Sequence, residues 1–179
     1  MSPDHAAPSS ARGQDHHLQS FLARVEAREA VVGIVGLGYV GLPLAQVFAA
    51  SKLRTIGFDT DPTKVDQLNR GESYIRHIPD ATVHQLHQDG LFRATNEIAD
   101  LSAADAILLC VPTPLTRYRD PDISAVSGSA ESLVNVLRPG QLVVLESTTY
   151  PGTTDEILKP ILERSGLIAG SDFYLAYSP

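Results

Sequence analysis

The stretch VVGIVGLGYVGLPLAQVF, residues 31–48, decides how the rest of the chain is read. An apolar run through Val35 meets Gly36, Gly38 and Gly41, and an apolar segment with helical spacing follows. The pattern G-x-G-x-x-G is a weak signal alone, but between a strand and a helix each glycine has a physical task. Gly36 permits a tight turn, Gly38 lets backbone approach a pyrophosphate, and Gly41 lets the helix pack close to the strand. With the helix beginning near Tyr39, the N–H groups of Tyr39 and Val40 face an anion, helped by the helix dipole.

Downstream, IGFDTD places Asp59 at the end of a second apolar run. A carboxylate there accepts hydrogen bonds from the hydroxyls of an adenosine ribose. A 2'-phosphate would meet a like charge, at a cost of about 4 kcal/mol at 4 Å and an effective dielectric near 20. No Arg follows Asp59 closely, so NAD is expected over NADP. Asp61, just before Pro62, is read as a helix cap.

Strand and helix patterns alternate through the rest of the chain. LRTIGFD, LFRAT, DAILLCVP, QLVVLEST and DFYLAYSP read as strands. PTKVDQLNRG, PDATVHQLHQDG, DISAVSGSAESLVNVL and GTTDEILKPILERSG read as helices. Near-continuous apolar strands alternating with helices imply an α/β, doubly wound, mostly parallel sheet, Rossmann-like, in three layers α/β/α. The expected organisation is a disordered tail over 1–14, a helix over 15–29 with Leu18, Phe21, Leu22 and Val25 on one face, and a nucleotide-binding domain over 30–179. Ligands of such sheets sit over the carboxyl ends of the strands. Val111, Pro112 and Thr113 in CVPTPL, and Ser147 and Thr148 in LESTTYPG, are therefore expected to line the cleft. Turn and capping chemistry is the competing reading of these hydroxyls.

Composition narrows the function. Of 179 residues, 43% are hydrophobic, enough for a substantial core, and the net charge of -7 argues against nucleic acid as a partner. No apolar run approaches the ~18 residues of a membrane span. One cysteine excludes an intrachain disulfide and fits a reducing, cytoplasmic setting.

At this point the motifs GIVGLGYVGLPLA, GFDTDPTKVDQLNRGESYI, LLCVPTPL, PDIS, ESTTYPGTT and YSP, in this order, resemble the UDP-glucose/GDP-mannose dehydrogenases. GESYIRHIP and STTYPGTT resemble the branch acting on UDP-N-acetylglucosamine. The resemblance implies a four-electron oxidation of a sugar C6 alcohol to a carboxylate, with two NAD reduced. It implies that Gly36, Gly38, Tyr39, Val40, Gly41, Asp59 and Lys64 contact NAD. Thr113 and Thr148 would lie near the nicotinamide, and Thr148 would help place a catalytic water. The family's catalytic Glu, Lys, Asn and nucleophilic Cys follow the SP motif, and Pro179 is the last residue here. The chain alone is thus expected to bind NAD without oxidising a UDP sugar. The full-length homologue would be a homodimer, and a monomer fits the chain alone. Two alternatives stay open: a non-enzymatic NAD-binding module, and the first domain of another NAD-dependent dehydrogenase.

Other reactive residues are read more plainly. Cys110 lies in an apolar strand and is expected to be core, not nucleophile. His84 and His87 share a helix face without further ligands, so no metal site is expected. Arg117 and Arg119 suit pyrophosphate recognition by chemistry, but a solvated loop is the preferred reading.

Overall fold

Strands buried on both faces are what the apolar runs require, and one six-stranded sheet supplies them. The computed structural model describes residues 9–117 and 120–178. Its elements are α1 (Ser9–Glu26), β1 (Val31–Val35), α2 (Gly41–Ala50), β2 (Arg54–Phe58), α3 (Pro62–Asn69), α4 (Asp80–Gln88), β3 (Phe92–Thr95), β4 (Ala106–Leu109), α5 (Ser124–Leu133), β5 (Leu142–Leu145), α6 (Lys159–Leu162) and β6 (Tyr174–Tyr177). All strand pairs are parallel, in the order β3-β2-β1-β4-β5-β6. The chain starts in the middle, winds outward one way, then returns to β4 and winds the other way. That reversal between β1 and β4 is the switch point of a doubly wound sheet.

Alternation along β1 feeds two cores. Val32 and Ile34 join Leu42 and Ala45 of α2, Leu68 of α3 and Val83 of α4. Val31 and Val35 join Leu101, Ala130 and Leu133 of α5, and Leu162. Each fully buried aliphatic side chain contributes roughly 1.5–3 kcal/mol. β1 is buried along its whole length, which makes the strand before the glycine turn the rigid centre of the molecule.

Three boundaries differ from the sequence reading. The helix after the glycine turn starts at Gly41, not near Tyr39, because Val40 serves as its N-cap. The helix expected over 152–166 is broken into a π-helical turn (Thr153–Leu158), α6 and a 3-10 turn (Glu163–Ser165). Pro160 has no N–H for an α-helical ladder, so the hydrogen-bond register changes around it. The first helix runs over Ser9–Glu26 instead of 15–29 and stops before Arg28, whose φ is 60°. Residues 1–8 of the expected tail lie outside the described residues.

Of the expected apolar face of α1, Leu18, Leu22 and Val25 stay exposed and Phe21 is half-buried, so full burial of these positions does not anchor this helix. Arg24 does, through an ion pair of 3.1 Å with the buried Asp105. Asp105 also accepts from Val31 N–H (2.8 Å) and pairs with Arg138 (2.9 Å). These contacts fasten α1 to the amino-terminal edge of the sheet, opposite the glycine turn.

Candidate cofactor cleft

Strand register brings the carboxyl ends level. Val35 lies beside Phe58 on one side and Leu109 on the other, and Leu109 lies beside Leu145. The ladder runs one step further, with Gly36 N–H donating to Phe58 O and Cys110 N–H to Val35 O, each at 2.8 Å. Beyond that step the connections leave for opposite faces. A cleft of about 860 Å³ opens over the parting point, within the size range of small-ligand sites.

The glycine turn forms one wall. Gly36 has φ 93°, and a Cβ there would lie 2.8 Å from Cys110 O. Both the conformation and the space exclude a side chain. A Cβ on Gly41 would collide with the Gly36 carbonyl oxygen, whereas a Cβ on Gly38 meets nothing within 4 Å. Gly41 thus serves the packing of α2, and Gly38 serves the open cleft. Among the described residues, no acceptor takes the N–H groups of Gly38, Tyr39 and Val40. Three free donors beside an open glycine form a cradle for an anion.

Asp59 is buried at the end of β2 and does more than the sequence reading gave it. Its Oδ2 accepts from Leu37 N–H and its Oδ1 from Asp61 N–H, both at 3.0 Å. A carboxylate offers about four lone-pair sites, so acceptor capacity remains toward the cleft that Asp59 lines. Lys64 Nζ stands 3.6 Å from Asp59 Oδ2. The sequence reading found no Arg close after Asp59 and gave Lys64 no part in balancing its charge, yet this lysine offsets part of the repulsion toward a 2'-phosphate. Asp61 caps α3 as expected, accepting from Thr63 N–H at 2.9 Å.

The far wall comes from the loops after β4 and β5, where Val111, Pro112, Thr113, Ser147 and Thr148 all line the cleft. Thr113 Oγ1 donates to Thr148 O at 2.7 Å, tying the two loops together. Ser147 Oγ donates to Val111 O at 2.6 Å, so its proton is spent on the scaffold and only its lone pairs face a ligand. Arg117 is exposed, and Arg119 lies outside the described residues. His87 Nε2 lies 2.6 Å from Leu68 O, a contact that uses its N–H inside the fold.

Sequence reasoning missed two contributors. Ala125, Gly128, Ser129 and Ser132 of α5 line the cleft. Their i, i+3, i+4, i+7 spacing of small residues was the available signal, because small side chains leave room above the sheet. Tyr74 and Ile75, from the loop after α3, also line it; they fall within the GESYI motif, to which the sequence reading gave no site role.

Cys110 is buried beneath the cleft, and burial, with the Glu146 carboxylate second, pushes its thiol up to about 12. It is therefore a neutral core group. The folded thiol holds its proton more tightly than the unfolded one. Stability tied to its burial is complete below about pH 9 and is lost as pH climbs toward 12. Near pH 8, Ellman's reagent should leave native Cys110 untouched while the urea-unfolded chain reacts fully. Rapid modification of the native thiol would contradict this placement.

Fold and cleft together define a doubly wound, dinucleotide-binding α/β domain. The particular family follows from comparison with known proteins. The chain belongs to the UDP-glucose/GDP-mannose dehydrogenase family, whose NAD-binding domain matches residues 30–179. It is 38% identical over 152 residues to a UDP-N-acetyl-D-glucosamine 6-dehydrogenase of Salmonella typhi, covering 84% of this chain and 35% of the relative. It is 40% identical over 127 residues to a UDP-N-acetyl-D-mannosamine dehydrogenase of the same organism, covering 70% of this chain and 30% of that one. Among solved structures, a ternary complex of GDP-mannose dehydrogenase from Pseudomonas aeruginosa superposes with a TM-score of 0.79. That match has 31% identity and covers 83% of this chain and 35% of that one. The chain thus spans about a third of the length of these relatives.

Proposed function

We propose that this domain holds NAD for the oxidation of a nucleotide sugar at C6, with UDP-N-acetylglucosamine as the substrate. The carrying observation is the convergence of the glycine turn and Asp59 on one cleft at the switch point. Bound there, NAD would accept hydride from the sugar.

The chain's own residues then have distinct tasks. Gly38, Tyr39 and Val40 present N–H groups to the pyrophosphate. Asp59 accepts from the adenosine ribose, and Lys64 balances the charge beside it. Thr113 and Thr148 stand on the far wall, where the nicotinamide end would reach, and Thr148 would help place a catalytic water. Val111 and Pro112 shape that wall, and Ser147 braces it. Sugar binding and the covalent acid-forming step belong to the two thirds of the relatives' length that this chain does not match, so the chain alone is expected to bind NAD without turnover. A homodimer of the full-length protein and a cytoplasmic setting are part of the same proposal, and the single buried cysteine is compatible with the latter. The motif GESYIRHIP and the longer match to the UDP-N-acetyl-D-glucosamine 6-dehydrogenase, 152 residues against 127 for the mannosamine enzyme, support the N-acetylglucosamine assignment.

Cofactor choice gives a direct test. Ribose hydroxyls can donate to Asp59, and a 2'-phosphate cannot. Because Lys64 offsets part of the repulsion, the expected preference is about tenfold, smaller than the bare-charge figure of ~4 kcal/mol implies. Calorimetric titration should show NAD binding more tightly than NADP by that margin. Equal affinities would refute the role of Asp59.

A further inference from the structure

The loop between α3 and α4 forms a strap over the glycine turn. Ile75 and Ile78 anchor it in the core at 3% and 6% exposure, and Ser73 N–H donates to Asp80 Oδ1 at 2.7 Å. From this fixed base Tyr74 reaches back and its hydroxyl donates to Leu37 O. His77 of the same loop stacks on Tyr39, with ring centroids 6.0 Å apart and planes at 22°. Lys64 Nζ sits 5.8 Å from the centre of the Tyr74 ring, a favourable cation–π distance. Burial, then the carboxylates of Asp59 and Asp61, raise the Tyr74 phenol well above its ordinary value, so it remains a donor.

We infer that Tyr74 is a positioning residue that aims the Gly38 N–H at the cofactor pyrophosphate by holding the Leu37 carbonyl. The inference rests on the reading of the glycine turn as a pyrophosphate cradle. Leu37 is gripped on both sides, its N–H by Asp59 Oδ2 at 3.0 Å and its carbonyl by Tyr74. In a trans peptide the C=O and the following N–H point to opposite sides, and the described chain has no cis bond. With Leu37 O turned toward Tyr74, the Gly38 N–H points away from it, and Gly38 borders open cleft. Glycine tolerates both signs of φ, so the Leu37–Gly38 peptide can flip unless something outside the turn holds it. Tyr74, bonded to Leu37 O from outside the turn, is that hold.

The test compares wild type with Tyr74→Phe, which keeps the ring and its burial and removes only the hydroxyl. ADP carries the pyrophosphate, whereas adenosine carries only base and ribose. Tyr74→Phe should weaken ADP about tenfold, the worth of one charge-assisted hydrogen bond, and leave adenosine within about twofold. The shift of the Gly38 amide resonance on adding ADP should shrink in the variant. Unchanged ADP affinity, or equal losses for ADP and adenosine, would overturn the positioning role. Failure of the underlying reading would look different: wild type itself would bind ADP no better than adenosine, and both ideas would fall.

Discussion

Gly38→Val is expected to abolish NAD binding while leaving the fold in place. A Cβ at this position has room, meeting nothing within 4 Å. That room is the space the pyrophosphate needs. Excluding the phosphates forfeits at least two charge-assisted N–H bonds, each worth roughly 1.5–3 kcal/mol, so affinity should fall on the order of 100-fold or more. The melting temperature should move by no more than about 2 °C, because a substitution on a half-buried turn whose Cβ meets nothing within 4 Å costs about 0.5 kcal/mol or less. A folded Gly38→Val protein with wild-type NAD affinity would remove the pyrophosphate from this turn.

Three residues on, the same substitution should fail in the opposite way. A Cβ on Gly41 runs into the Gly36 carbonyl oxygen, with Ile34 Cγ2 also only 3.0 Å away. Backbone cannot step aside as a flexible side chain can, so α2 must lift from β1. Overpacking typically costs 1–3 kcal/mol and here should exceed about 3. For a chain of this size that corresponds to a fall in melting temperature of roughly 10 °C or more. Thermal denaturation of Gly41→Val followed by circular dichroism measures it. A melting point within about 2 °C of wild type would contradict the packing of α2 on β1. Together the two variants separate the ligand-facing glycine from the structural one.

The glycine positions were readable because their reasons are local: a strand, a turn and a helix adjoin in eighteen residues. The doubly wound parallel sheet was readable for a related reason, since buried parallel strands linked by helices leave few arrangements, whereas the order of its strands came only with the structure. Asp59 was placed correctly, but its bonds to Leu37 and Asp61 and its ion pair with Lys64 were not foreseen. They depend on where the turn before it folds back, which the sequence pattern does not encode. Tyr74 was invisible for the same reason, as its hydroxyl acts on a carbonyl 37 positions earlier. Pro160 was legible as a break in the last helix and was passed over in favour of the surrounding apolar period. For Ser147 the hydroxyl was correctly set in the cleft wall, but its donor serves Val111 O, a partner on a neighbouring loop.

The most direct test of the account is amide chemical-shift mapping of the chain during titration with NAD. Large shifts are expected at Gly36, Gly38, Tyr39 and Val40, at Asp59, and across the loops at Val111 to Thr113 and Ser147 to Thr148. Little change is expected at Asp105, Arg24 and Arg138, at the opposite end of the strands. Shifts concentrated at that opposite end, or none at the glycine turn at saturating NAD, would contradict the account.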